Sequence, residues 1–117
     1  MDIDIFFGQL YKDFNERNIE NVISNMTENI QWANGMEGGY MYGHEGVRNY
    51  WTRQFTMVCS NVTPLEISEE GNLVKIKVRQ VVQDLNGSLL ADEIVYHFFQ
   101  LKGDKISRFD IGDKVNQ

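Results

Sequence analysis

Ile30-Gln31-Trp32-Ala33-Asn34-Gly35, then Met36-Glu37-Gly38-Gly39-Tyr40-Met41-Tyr42-Gly43, then His44 through Phe55, is the stretch on which the fold turns. It reads as a strand, a glycine-rich bend and an amphipathic helix. After the glycines, apolar residues return at Val47, Trp51 and Phe55, the four-residue spacing of one helical face. The chain before this stretch has a helical pattern, and the chain after it has the pattern of long paired strands. That order predicts a short helical layer folded against a curved sheet, an arrangement that can enclose a small-molecule pocket.

Upstream, Ile3, Phe6, Phe7, Leu10, Tyr11 and Phe14 form a broad apolar helical face, with Asp2 or Asp4 as its cap. Asn18 opens a second, short helix whose Ile19, Val22, Ile23 and Met26 face inward, and Glu28 to Ala33 forms the first strand. Downstream of the third helix and Pro64, the period changes to two. A strand begins at Glu66 to Ser68, Leu73 to Asp84 forms a long β-branched strand, and Leu89 to Leu101 returns antiparallel. Lys105 to Ile111 is the last strand. Asn86-Gly87 between the long strands is a strong hairpin signal. The expected class is α+β: three N-terminal helices packed in a strongly curved antiparallel β-sheet, a cone-shaped barrel, with residues 1–117 as one domain.

With 117 residues and 42% apolar content, the chain can bury a core without disulfides or metals. Its net charge of −6 argues against nucleic acid and anionic membranes as partners. No run is long enough to span a membrane. Met1 to Ile5 carries two acids and no basic residue, which does not fit a secretory signal, and Cys59 is the sole cysteine. The expected compartment is the cytoplasm. Cys59, expected near the end of the third helix, reads as structural. No metal-ligand spacing, nucleotide loop or redox cysteine pair occurs, so no cofactor is expected.

The hairpin sets the faces of the sheet. A two-residue loop puts Leu85 opposite Ser88. It then pairs Val82 with Ala91, Gln80 with Glu93, Val78 with Val95, Ile76 with His97 and Val74 with Phe99. This mainly aliphatic face should lie under the helices, and Gln80, Glu93 and His97 on it point to a cavity holding water or ligand. The other face carries Lys75, Lys77 and Arg79 with Ile94, Tyr96 and Phe98, aromatics among lysine stems, which suits a homodimer contact.

Two segments carry a resemblance. Gly43-His44-Glu45-Gly46-Val47-Arg48-Asn49-Tyr50-Trp51 resembles the signature at the start of the third helix in the nuclear transport factor 2-like superfamily. That group includes ketosteroid isomerase and the SnoaL-like polyketide cyclases. Gly103-Asp104-Lys105-Ile106-Ser107-Arg108-Phe109-Asp110 is similar to the group's last turn and strand. The resemblance implies a cone with a deep pocket at its open end and homodimers through the outer face. The isomerase's carboxylate base falls at about Asn34, an amide that cannot take a proton. Tyr11 could supply that enzyme's phenol, and His97 falls near its acid. Classical ketosteroid isomerase activity is therefore not expected. The SnoaL-like pattern, a late-strand aspartate with a nearby histidine, is matched by Asp110 and His97.

His97 and Asp110 are thus the catalytic candidates, His97 as acid or base and Asp110 as its partner or as the base. Two registers stay open for Asp110. An even-length turn at Lys102 to Lys105 puts it opposite His97 on the pocket face. A three-residue turn puts Ser107, Phe109 and Ile111 there instead. Tyr11, Trp32, Asn34, Trp51, Phe55, Gln80, Glu93, Val95 and Phe99 are the candidate substrate-binding residues. Glu37-Gly38-Gly39 reads as a flap or a tight loop. His44 is expected to be exposed, and Arg48 and Arg53 to pair with surface acids. The expected function is a cofactor-independent proton-transfer enzyme (isomerase, dehydratase, cyclase or hydrolase) acting on a small apolar substrate. The alternative is a non-catalytic ligand-binding or homodimerisation module.

Overall fold

Asp2 lies in extended backbone, and its carboxylate accepts hydrogen bonds from the Asp4 and Ile5 amides at 3.0 and 3.2 Å. That cap satisfies two of the free amides of α1, Ile3–Asn15. The computed structural model describes residues 1–35 and 37–112, so Met36 in the glycine-rich bend lies outside the described residues. The elements that follow are α2 (Ile19–Ile23), β1 (Met26–Ala33), β2 (Tyr40–Tyr42), α3 (Gly43–Gln54), β3 (Val58–Glu70), β4 (Leu73–Asp84), β5 (Leu89–Lys102) and β6 (Lys105–Ile111). Asn18 stands at the α2 cap position but makes no side-chain cap bond.

The strands form one sheet in the order β2-β1-β6-β5-β4-β3, antiparallel throughout except for the parallel pairing of β1 with β6. Register shifts interrupt the β1–β6, β3–β4, β4–β5 and β5–β6 pairings. Each extra residue bends its strand and adds twist, so the sheet curls around the helices without closing. The core lies on its concave side. Phe7, Leu10 and Tyr11 of α1 and Val47 and Trp51 of α3 pack there with Trp32, Val74, Ile76, Val78, Val95, Phe99 and Phe109. The architecture is the α+β cone expected from the order of sequence patterns.

Three local expectations require correction. The β4–β5 loop has three residues, not two. The Asp84 amide bonds to the Ser88 carbonyl at 2.9 Å, and Gly87 adopts φ +89°. The Asp84 carboxylate braces the turn by accepting from the Asn86 and Ser88 amides, each at 2.9 Å. Gln83 then faces Leu89 and Val82 faces Ala91, which leaves Leu90 as an extra residue. The odd loop reverses the side-chain alternation and the bulge restores it. The pairs from Val82–Ala91 to Val74–Phe99 are therefore those expected.

The last strand behaves in the same way with the opposite outcome. Lys102 pairs with Lys105, which is the even-length turn. Leu101 pairs with Ile106 but Gln100 pairs with Arg108, so Ser107 is bulged, and its hydroxyl bonds to the Gln100 carbonyl at 3.1 Å. Phe109 then faces Phe99, Ile111 faces His97, and Asp110 faces Phe98 on the convex side. Asp110 is not a pocket residue.

The third correction concerns β3, which begins at Val58, well before Glu66, and takes in Cys59 and Pro64. Cys59 is a strand residue opposite Gln83, not a helix-end residue. Pro64 is tolerated because β3 is an edge strand and the ladder shifts register just after it.

Candidate active site

A cavity of about 290 Å³ opens between the helices and the concave face of the sheet. Helical spacing in α1 brings Leu10, Tyr11 and Phe14 to it, and α3 brings Tyr50, Trp51 and Gln54. Strand alternation delivers Trp32 from β1, Ser60 and Val62 from β3, Gln80 and Val82 from β4, Ala91, Glu93, His97 and Phe99 from β5, and Phe109 and Ile111 from β6. The walls are largely aromatic. Trp32 stacks on Phe109 with centroids 4.1 Å apart and meets Trp51 edge-on at 5.2 Å. Phe109 in turn meets the His97 ring edge-on at 4.9 Å.

Two of the cavity's polar side chains form a pair. The Tyr11 hydroxyl lies 2.7 Å from Nδ1 of His97, both residues are buried, and the two rings are nearly parallel. Burial among apolar groups penalises both charged forms. It pushes the His97 pKa down to about 3 and the Tyr11 pKa well above its usual 10. Both are neutral across the physiological range. When the phenol donates to Nδ1, the ring's hydrogen sits on Nε2. Among the described residues Nε2 has no hydrogen-bond partner. In that tautomer the pair presents an N–H donor at the cavity wall.

A second polar group lies on the outer strands. Ser60 is 2% exposed, and among the described residues its hydroxyl makes no hydrogen bond. Gln80 pairs across the sheet with Glu93 and, on its other side, with Val62. Glu93 is the one carboxylate among the described lining residues, and no Lys or Arg is among them. Among the described residues no cluster of three or more His, Cys, Asp or Glu side chains could hold a metal ion.

Of the candidates from sequence, Tyr11, Trp32, Trp51, Gln80, Glu93, His97 and Phe99 line the cavity together. Asp110, Asn34, Phe55 and Val95 do not. Asp110 is bonded to the Arg108 guanidinium at 2.7 Å and to the Tyr40 hydroxyl. Asn34 holds the glycine bend, its side-chain oxygen accepting from the Glu37 amide at 2.9 Å and its backbone bonding to Gly38 and Gly39. Phe55 caps α3 and lies under the Arg17 guanidinium, 4.3 Å from its ring centroid. Val95 is buried core.

The expected flap carries positive φ at Gly38 (82°) and Gly39 (74°), and Glu37 bridges to Arg53 at 2.9 Å. His44 is half-buried, with Nε2 3.0 Å from the Met26 carbonyl, rather than exposed. Arg48 pairs with Glu20 and Glu45 as expected. Ser60 and Phe14 were not among the sequence candidates, whereas Phe109 and Ile111 face the cavity as in the second of the two open registers, although the turn itself is even. Alternation along β3 would have found Ser60 had the strand been started at Val58.

No family model and no curated protein matches the sequence. Solved structures do match the fold. TerC, co-crystallised with polyporic acid, is 26% identical over 89% of this chain and 85% of its own, with a TM-score of 0.79. A nuclear transport factor 2-like protein of unknown function from Burkholderia pseudomallei K96243 is 20% identical over 97% and 92%, with a TM-score of 0.83. A Catenulispora acidiphila protein with a ketosteroid isomerase-like fold, in complex with trimethylamine, is 14% identical over 84% and 76%, with a TM-score of 0.73. The class follows from these likenesses and the cone itself: the chain has the nuclear transport factor 2-like fold. No helix among the described residues is long and apolar enough to cross a membrane.

Proposed function

We propose that the protein is a cofactor-independent enzyme that moves a proton on a small, largely apolar molecule bearing a carbonyl or hydroxyl oxygen. The observation that carries this reading is the neutral, desolvated Tyr11–His97 pair at 2.7 Å on the wall of an aromatic-lined cavity. The Nε2 hydrogen of His97 bonds to the substrate oxygen and stabilises charge that develops there on enolisation. Tyr11 is a positioning residue that holds the tautomer. His97 itself is too weak a base at neutral pH to take the proton. The carboxylate of Glu93, four residues along the same face of β5, takes it from carbon and returns it at a second carbon. Roughly 13 Å of strand separates the two residues, by the rise of about 3.3 Å per residue. A conjugated substrate, in which the proton leaves several bonds from the oxygen, requires the two side chains to reach toward each other along the strand. The co-crystallisation of TerC with polyporic acid supports a ring-sized organic ligand here.

Deuterium uptake from D2O at the α and γ carbons of cyclohex-2-enone tests the reading. The protein should accelerate uptake, and His97→Phe should lower the acceleration by about 10²–10³-fold, the effect of losing one oxyanion donor. Equal uptake by the variant overturns it. The depressed pKa of His97 favours a second reading, a ligand-binding module without turnover. Enone binding with no deuterium uptake would select that reading.

We also propose that a second copy of the chain covers the convex face. Lys75 lies over the Tyr96 ring at 4.2 Å beside Phe98, which is 38% exposed, and Arg79 bridges to Asp92 at 2.6 Å. Light scattering should give twice the chain mass, and a monomer at 100 μM would overturn this assignment.

A further inference from the structure

We propose that Ser60 and Gln80 form a second binding subsite in the cavity, which selects a neutral, flat ligand oxygenated at both ends. The inference rests on the reading of Tyr11–His97 as an oxygen-binding pair. It adds what lies at the other end of the ligand, and it restricts the ligand's charge.

Ser60 is a hydroxyl in a cavity wall that has no other reason to be polar. It is 2% exposed and faces Val82 across the ladder, yet no hydrogen bond to its side chain exists among the described residues. Among the described residues the fully enclosed side-chain polar atom without a partner is the Thr27 hydroxyl, so the Ser60 hydroxyl opens to the cavity and can bond to a ligand group there. Gln80 stands two residues from Val82 on the same face of β4 and offers both a donor and an acceptor. Ser60 and Gln80 lie toward the β4–β5 hairpin, whereas His97 lies four residues beyond the Gln80–Glu93 pair along β5. The cavity thus has polar groups at two ends. The stacked Trp32–Phe109 pair beside the His97 ring supplies a flat apolar wall. A rigid two-ring molecule with an oxygen at each end can reach both groups at once.

The charge of that molecule follows from the lining. Among the described residues that line the cavity there is no Lys or Arg, His97 is neutral, and Glu93 adds a carboxylate. A carboxylate or phosphate entering the cavity would lose its hydration and meet no counter-charge among the described lining residues. A phenol, an alcohol or a ketone would not incur that penalty.

Quenching of Trp32 and Trp51 fluorescence by three probes tests the proposal: 2-naphthol, 2,6-dihydroxynaphthalene and 6-hydroxy-2-naphthoate. The dihydroxy probe should bind about tenfold tighter than 2-naphthol, the worth of one further hydrogen bond. The naphthoate should bind at least tenfold more weakly than the dihydroxy probe. Ser60→Ala and Gln80→Leu should each erase the advantage of the dihydroxy probe over 2-naphthol. If His97→Phe weakens both neutral probes but the Ser60 and Gln80 variants leave their ratio unchanged, the second subsite is wrong and the oxygen-binding pair stands. If His97→Phe weakens neither, the pair itself is wrong and the inference falls with it. Naphthoate binding as tight as that of the dihydroxy probe, or no binding of either neutral probe at 1 mM, also overturns it.

Discussion

His97 and Asp110 lie one residue apart in register on adjacent strands, since His97 faces Ile111 and Phe98 faces Asp110. Their surroundings could hardly differ more. His97 is on the concave side, 6% exposed, bonded to one neutral phenol, and held uncharged by burial. Asp110 is on the convex side between Arg108 and Tyr40. There, partial burial raises its pKa, but the hydrogen bonds and charge of those neighbours outweigh it and lower the pKa overall. Desolvation governs the inner face and charge pairing the outer one. A titratable side chain on this sheet takes its chemistry from the parity of its position.

Parity at position 110 depends on the bulge at Ser107. Exchanging the side chains of Phe109 and Asp110 would break the contrast most severely, because with the bulge in place Phe109→Asp points inward and Asp110→Phe points outward. The inner face would lose the ring stacked on Trp32 and gain a carboxylate facing Phe99. The expected loss is more than about 4 kcal/mol, beyond the usual range of a single change. Urea unfolding should show it as a collapse of the midpoint or as no folded protein. A variant that unfolds within about 1 kcal/mol of the parent would mean that the strand tolerates either face.

This dependence also explains what could be read from the sequence. The helices, the cone and the pairing of β4 with β5 were legible, because their signals are periodic and repeat over many residues. The β4–β5 faces came out right although the loop did not, since the extra residue in the turn and the bulge at Leu90 cancel. At β6 the turn stayed open between two lengths, a single bulge follows the even one, and nothing about Ser107 as a residue type marks it. A bulge is set by how the sheet must bend around its core, which is a tertiary demand. Ser60 went unnoticed for a related reason. The stretch from Val58 to Pro64 has few alternating apolar residues, and its strand character comes from lying along β4. Asn34 was assigned to the pocket from its place at the strand end, but its side chain serves the turn instead.

The His97 side of the comparison sharpens with pH. Its folded pKa of about 3 lies below the 6.5 of an exposed histidine. Below pH 6.5 the unfolded chain therefore binds a proton that the folded chain refuses. This contribution to stability is complete above pH 6.5 and is lost progressively down to pH 3. By pH 4.5 the loss from this residue is about 2–3 kcal/mol, at 1.36 kcal/mol per unit. The difference in acid slope between the parent and His97→Phe should have that size. Proton NMR of the His97 ring should show no titration between pH 8 and 4.5. A midpoint near 6.5 would place the ring in contact with water.

Asp110→Asn gives the smallest effect and the finest test of the contrast. The carboxylate is held by Arg108 and Tyr40 at the surface, where a salt bridge contributes about 0–1 kcal/mol. The amide keeps an acceptor for Tyr40 and loses only the charge that faces Arg108. Stability at pH 7 should fall by less than about 1 kcal/mol, and added salt should shrink the difference because screening weakens the parent's ion pair. The sign with pH follows from the lowered pKa of Asp110. Its contribution is present above the pKa of an unfolded aspartate, about 3.9, and disappears as pH drops through the lower folded value. Parent and variant should therefore converge only below about pH 3.9, whereas the His97 contribution already begins to fall at pH 6.5. Deuterium uptake by the enone should be unchanged in Asp110→Asn. A loss of tenfold or more would mean that the convex face reaches the chemistry, which the separation of the two faces does not allow.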